Sequence, residues 1–342
     1  MSKRSLADKI LPKSVKDAVL RAIDPFIKLR ANGKGQCSAK TQEDRRHIYL
    51  RCVAELWMLG YRIRKLESLA AKHVECLMTY WHESGHSPSL MHTRLSMLRV
   101  ACDRMGKFGV VKDITDYLPS EVVRRGTVAT ENKAWEAKDI DPLEVIETAK
   151  QIDERFAVML ALQHHLGLRV KEAIELTPAN AIVDGGEAIE LYEGTKGGKL
   201  RRIDLDTPQR KAVIAWARLV AAQGRTKRLR WPDCTWKQAR NRFYHYIRNR
   251  LGVSKALTGT TAHGLRHGNG QQRYRHWTGL PTPIEGGALG RIDREKHQAA
   301  SICVSRELGH NRIDVTTGYY GSYGHQLRQA PVKMSFNYKI WK

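Results

Sequence analysis

Over most of its length the chain sets apolar residues at helical spacing and closes each run with a glycine, a pattern that a mainly α-helical architecture satisfies. Tyr49, Cys52, Val53, Leu56 and Trp57 form one such stripe, stopped at Gly60. Val74, Leu77, Met78 and Trp81 form the next, stopped at Gly85. Ser87-Pro88 then opens a third helix, a capping residue followed by proline in the first turn, with Met91, Leu95, Leu98 and Cys102 as its apolar stripe. The polar faces are expected to carry Arg45, Arg46, Arg51, Lys72, Arg94 and Arg99. These stripes predict a compact helical unit over residues 41–125. Residues 1–40 are basic, with Gly33 and Gly35 and little periodicity, and read as an N-terminal arm. From residue 108 the pattern fades, and 126–140 reads as a linker.

A second domain is expected over 141–327. Asp141-Pro142 starts a helix with Val145, Ile146, Ala149 and Ile152 inward, and an apolar helix from Phe156 to Leu166 ends at Gly167. Here the period changes. Ala181–Val183, Ala188–Tyr192 and Leu200–Leu205 read as three short strands, with Asp184-Gly185-Gly186 and Gly197-Gly198 at the turns. Thr207-Pro208 opens a helix with Val213, Trp216 and Val220 inward, and helices continue through Gln298–Leu308. The fold class is therefore mainly α, with a small antiparallel sheet inserted early in the second domain. Residues 328–342 form a short tail rich in apolar residues (Val332, Met334, Phe336, Tyr338 and Trp341).

Lys and Arg exceed Asp and Glu by 59 to 35, a formal net charge of +24. An excess of this size calls for a polyanionic partner, because each neutralised phosphate releases counterions and adds affinity. Apolar runs are short and broken by charge, so no transmembrane helix is expected, and residues 1–34 lack the apolar core of a signal peptide. A cytoplasmic, nucleoid-associated bacterial protein is the expectation. Six cysteines (Cys37, Cys52, Cys76, Cys102, Cys234, Cys303) are scattered without a C-x-x-C pair, which supports neither disulfides nor a zinc cluster. Cys52, Cys76, Cys102 and Cys303 read as small buried hydrophobes. With no metal-ligand spacing and no phosphate-binding glycine loop, no cofactor is expected.

Four stretches carry the chemistry: Leu166-Gly-Leu-Arg-Val-Lys-Glu-Ala-Ile-Glu-Leu176, Gly194-Thr-Lys-Gly-Gly-Lys-Leu-Arg-Arg-Ile-Asp-Leu205, His263-Gly-Leu-Arg-His267, and Leu308-Gly-His-Asn-Arg-Ile-Asp-Val-Thr-Thr-Gly-Tyr-Tyr320. In this order they resemble the signature of the tyrosine recombinases, the family of phage integrases and chromosome-dimer resolvases. The resemblance spans the second domain, and the helical unit before it resembles the family's SAM-like core-binding domain. It implies catalytic roles for Arg169, Lys196, His263, Arg266, His310 and Tyr319, with Glu172 in support. Tyr319 lies nine residues after His310. Aligning Thr316-Thr317 with the threonine pair of some relatives favours Tyr320 instead, and Tyr323 is a distant third. Lys199 rivals Lys196 across the glycine pair. His165 stands where many relatives carry threonine, and the 44 residues from Arg266 to His310 leave room for an inserted loop around 277–295.

The residue chemistry agrees with that resemblance. Cleaving a phosphodiester with a phenol needs a nucleophile whose pKa of about 10 must be overcome. It needs guanidinium groups that fork onto the phosphoryl oxygens, as Arg169 and Arg266 provide. It needs an acid for the leaving 5′ oxygen, a task suited to Lys196, and proton handling by His263 and His310. The product is a 3′-phosphotyrosyl link that conserves bond energy, so neither ATP nor metal is needed. The resemblance further implies four protomers on two specific double-stranded DNA sites, a Holliday junction, a tail packed on a neighbouring protomer, and accessory DNA-bending or directionality proteins. Integration or excision of a mobile element or phage is the expected role. Two other readings remain: a type IB topoisomerase-like relaxase, and a non-catalytic architectural DNA-binding protein. The bland readings also stand at this point, with Arg169 and Glu172 as a surface pair, His263 as a cap, and the tyrosines as core aromatics.

Overall fold

The computed structural model describes residues 5–30, 35–126, 128–195, 198–287, 291–310 and 313–324. It divides into two compact units, residues 1–125 and 126–342.

The first unit is helical: α1 (Leu6–Ile10), α2 (Lys13–Ile23), α3 (Ala39–Met58), α4 (Ala71–Glu83), α5 (Pro88–Arg104) and α6 (Ser120–Val123). The three stripes read from the sequence all point inward. Ser38 and Ser87 cap α3 and α5 through their hydroxyls, each accepting from an amide three residues on. The expected basic arm is not what the structure shows over residues 5–30. Val15, Val19 and Ile23 recur one turn apart on α2 and bury fully, joined by Ala7, Leu11, Phe26 and Ile27. The lysines between them hid this stripe, because charge dominated the reading. Two expected surface arginines are also buried. Arg45 donates to the carbonyls of Ile27 (3.0 Å) and Leu29 (2.5 Å), and Arg94 lies against Glu55. Both neutralise polar groups that the fold would otherwise leave unpaired. Cys52 and Cys102 are buried as expected, whereas Cys76 and Cys303 are only half-buried.

The second unit is built around α8 (Glu154–Leu166), apolar on every side, with each residue from Phe156 to Leu162 buried. Packed on it are α7 (Pro142–Ile152), α11 (Pro208–Ala222) and α14 (His263–Thr278). The short helices α9 (Val170–Glu175) and α10 (Pro178–Ala181) lead into the sheet. Strands β1 (Ile182–Val183), β2 (Ala188–Leu191) and β3 (Arg201–Asp204) pair antiparallel in the order β1-β2-β3, with Ile182 opposite Ile189 and Leu191 opposite Arg201. The remaining helices are α12 (Trp236–His245), α13 (Lys255–Thr258), α15 (Arg294–Glu307) and α16 (Ile313–Tyr320). α15 thus starts four residues before the expected Gln298, capped by Asp293, whose side chain accepts from Lys296 N. This shortens the expected inserted loop.

The expected linker 126–140 is largely part of this unit. Ala134 and Trp135 are buried, and the Trp135 indole N–H donates to the Thr261 carbonyl at 2.8 Å. Gly264 on α14 permits this docking, since a Cβ there would stand 2.5 Å from the Lys133 carbonyl oxygen and 2.6 Å from the Trp135 ring. A single tryptophan in a stretch without period left no pattern to read.

Candidate active site

The end of α8 organises the site. Gly167 closes the helix at φ +58°, and its Cα faces the Asn269 side chain so closely that a Cβ would collide with Oδ1. The last carbonyls of α8 are then collected by side chains from elsewhere. Asn269 donates to the His164 and His165 oxygens at 2.9 and 3.0 Å. Arg201 of β3 donates to Leu166 O (3.1 Å) and Gly167 O (3.2 Å), and Arg266 of α14 also donates to Gly167 O. A helix C-terminus carries unsatisfied acceptors and a partial negative charge, so it holds these cations in fixed positions.

Arg169 stands at the N-cap of α9, with Glu172 one turn on. The Glu172 carboxylate accepts from the Arg169 amide (2.7 Å), the Arg169 guanidinium (2.5 Å) and the Arg201 guanidinium (2.5 Å). Burial alone raises the Glu172 carboxyl, but the charges of Arg201, Arg169 and Arg266 outweigh it and hold the group below its usual range. Arg201 is wholly enclosed, and burial lowers it to about 9, still cationic at neutral pH. Arg169 keeps 24% of its side chain exposed. It is a tethered cation at an open lip.

Arg266, His263, His310 and Tyr319 converge on one point. The Tyr319 hydroxyl lies 3.3 Å from Arg266 Nε, 3.3 Å from His263 Nε2 and 3.5 Å from His310 Nε2. Arg266 Nη2 reaches the Leu308 carbonyl and stands 3.2 Å from His310 Nε2. His310 Nδ1 is 3.3 Å from the buried Thr316 hydroxyl, which orients the ring. Burial first, then the neighbouring His267 and arginines, lower His263 to about 3, and burial with the arginines does the same to His310. His263 keeps an exposed edge, where water screens its neighbours. Both imidazoles are neutral at pH 7 and able to accept a proton.

Of the expected site residues, Arg169, Glu172, His263, Arg266, His310 and Tyr319 therefore come together, and Lys196 lies outside the described residues. The β2–β3 connection that carries Lys196 does approach the site: a Cβ on Gly194 would meet the backbone of Lys171 and Glu172 at 2.9 to 3.0 Å. Lys199 is exposed. The candidate tyrosines differ in their settings. Tyr320 is fully buried against Tyr274 (centroids 5.0 Å apart), and burial pushes its phenol up to about 12. Tyr323 donates to the Ile292 carbonyl. Sequence reasoning missed Arg201, Asn269 and Thr316. Arg201 left one trace, the alternation Arg-Arg-Ile-Asp on β3, which puts Arg201 on the same inward face as Ile203.

This helical unit followed by a helical unit with a small sheet, whose site sets a phenol among arginines and neutral imidazoles, defines a DNA strand-transfer enzyme of the recombinase class. A family profile described as "Integrase" matches residues 125–272, and one described as "Phage integrase, N-terminal" matches residues 24–111. The chain belongs to the phage integrase family of tyrosine recombinases and is a site-specific recombinase. The integrase match ends before His310 and Tyr319, so these two rest on geometry. No curated protein matches the chain by sequence. Among solved structures, the fold is similar to that of a lambda integrase tetramer bound to a Holliday junction (14% identity, 89% of this chain and 77% of that one, TM-score 0.56). It is also similar to the Tn1549 transposon integrase in complex with transposon right end DNA (13% identity, 92% and 98%, TM-score 0.53). A further likeness is to the XerH site-specific recombinase bound to a palindromic difH substrate (15% identity, 85% and 81%, TM-score 0.50).

Proposed function

We propose that this recombinase cuts and rejoins DNA through Tyr319, forming a 3′-phosphotyrosyl intermediate and a free 5′ hydroxyl. The observation that carries the reading is the convergence of Arg266, His263 and His310 on the Tyr319 hydroxyl, while Tyr320 beside it is buried in the core. In attack the phenol oxygen bonds to phosphorus and its proton passes to a neutral imidazole. Arg169 and Arg266 stabilise the charge that builds on the phosphoryl oxygens. Lys196 gives a proton to the departing 5′ oxygen, a role supported by the family resemblance and by the approach of its strand connection to Glu172. Rejoining is the same path reversed, so no ATP enters.

Beyond this, the family resemblance supports a finer reading, and one structural relative is a tetramer bound to a Holliday junction. Four copies act on two specific DNA sites through a Holliday junction, to integrate or excise a mobile element or phage, with accessory DNA-bending or directionality proteins. Residues 328–342, outside the described residues, supply a contact to a neighbouring copy. The core-binding and catalytic domains are assigned to the two compact units, residues 1–125 and 126–342. No helix among the described residues is long and apolar enough to cross a membrane. A DNA strand-transfer role places the protein where its DNA is, on the nucleoid in the cytoplasm.

The test uses nicked duplexes tiled across the sequence flanking the gene, which trap cleavage, incubated with chelator and run on denaturing gels. A protein–DNA adduct formed by wild type and Tyr320→Phe but not by Tyr319→Phe is expected. An adduct that survives Tyr319→Phe overturns the assignment.

A further inference from the structure

The hydroxyl of Tyr319 is held by groups at its tip, but a nucleophile is placed by its backbone as well. Tyr319 sits in the last turn of α16, where carbonyls lack partners from their own helix. The Tyr319 carbonyl instead accepts from Gln271 Nε2 at 3.1 Å. Gln271 is buried and lies on α14, five residues after Arg266. Its amide is paired with a second amide: Gln271 Nε2 donates to Asn132 Oδ1 at 2.8 Å, and Asn132 Nδ2 donates to Gln271 Oε1 at 3.4 Å. Asn132 Oδ1 also accepts from the Ala134 amide at 3.0 Å, which fixes which way the Asn132 amide points. Close by, the Ala129 amide donates to the Thr317 carbonyl at 3.1 Å. The His267 ring also lies against the Tyr319 ring, centroids 4.6 Å apart, and makes a hydrogen bond with the Tyr319 backbone.

We infer that Gln271 is a positioning residue for strand cleavage, and that Asn132, on the segment entering the second unit, sets the Gln271 amide that holds the Tyr319 backbone. The inference rests on Tyr319 being the nucleophile. The physical case is one of reach. The Tyr319 hydroxyl is already 3.3 to 3.5 Å from three groups, so a shift of α16 by about 1 Å breaks all three contacts together. Gln271 is a side-chain donor from another helix to an α16 carbonyl, and it touches neither the hydroxyl nor Arg169. It acts through the tyrosine.

Two measurements on the full chain test this. The first is amide hydrogen exchange across 313–324, read beside the global melting temperature, which needs no DNA. Gln271→Ala should speed exchange there at least about tenfold relative to the rest of the second unit. Gln271→Glu should protect while its carboxyl is protonated and donates to the Tyr319 carbonyl, and lose protection once it ionises and a carboxylate faces that oxygen, read as protection relative to the rest of the second unit at each pH. The second is the single-turnover rate of adduct formation on the nicked duplexes, with oxygen or sulfur as the 5′ leaving atom. Gln271→Ala and Asn132→Ala should slow attack about 10- to 100-fold on both substrates with DNA affinity unchanged. A sulfur leaving atom needs no acid, so rescue by sulfur would place the defect at proton donation and overturn the proposal. Unchanged exchange over 313–324 in Gln271→Ala also overturns it. A persistent adduct in Tyr319→Phe marks the separate failure of the nucleophile assignment.

Discussion

Glu55 in the first unit and Glu172 in the second are both fully enclosed among arginines, and only Glu172 lies at the candidate site. In the first unit Glu55 is fully enclosed, accepting from Arg51 Nε (2.8 Å), Arg94 Nη1 (3.2 Å) and the Trp81 indole (2.8 Å), with the Arg94 guanidinium over the Trp81 ring at 5.2 Å. In the second unit Glu172 is equally enclosed between Arg169 and Arg201. What separates them is where the cation ends. Arg94 is buried against an indole, so its charge serves the core. Arg169 keeps an open edge beside a phenol and two neutral imidazoles, so its charge is available to a third party. A buried ion pair is weak ground for function until one partner is shown to face something else.

The sharpest way to break the contrast is at the tyrosines. Tyr319→Phe is expected to lower adduct formation by at least about 10⁴-fold, as loss of a nucleophile does, while Tyr320→Phe keeps the rate within about tenfold. Removing the carboxylates comes next. Glu172→Gln leaves Arg201 without its counter-charge and frees Arg169, so cleavage should fall about 100-fold and stability by about 3 kcal/mol. Glu55→Gln should cost a similar amount, about 3 kcal/mol, by thermal melting. Its cleavage rate per folded molecule should stay near wild type, and a comparable catalytic loss there would erase the distinction.

Acid offers a subtler test. Burial lowers both His164 and His267 to about 4, below the ordinary histidine value. The unfolded chain therefore takes up these protons first as pH falls. The stability they allow is complete above about pH 6.5 and is lost as pH drops toward 4. At pH 5 this amounts to roughly 2 kcal/mol for each ring. The second unit should melt earlier at pH 5 than at pH 7.5; His73 and His86 of the first unit are also lowered by burial, so a smaller loss is expected there, and a loss in the first unit as large as that in the second would contradict the assignment. The smallest effect expected is from Gly167→Ala. A Cβ at φ +58° collides with Asn269 and should cost about 2 kcal/mol, with the cleavage rate falling further than stability because Arg201 and Arg266 lose their shared anchor.

Most of the architecture was legible because apolar spacing and glycine stops are local signals. The three strands, the stripes of α3, α4 and α5, and the end of α8 at Gly167 all lie where residue patterns placed them. The site was legible for the residues that stand inside short motifs: Arg169, Glu172, His263, Arg266, His310 and Tyr319. Arg201, Asn269 and Gln271 were not, since their roles depend on meeting carbonyls more than 30 residues away in the chain. The α2 stripe and the docking of Trp135 were missed for a related reason. Charge and lack of period describe the solvent face, and say little of the single apolar residues that a neighbouring helix covers.

Tyr320 also matters mechanically after the strand is cut. On the proposed assignment a DNA end hangs from Tyr319 after cleavage, so every tug on that strand would load α16, and the next side chain along is packed against Tyr274. On that assignment the buried Tyr320 phenol would be the anchor that lets its neighbour bear tension. A Tyr320→Ala chain should release α16 at lower force in an optical trap while still forming its adduct at rest.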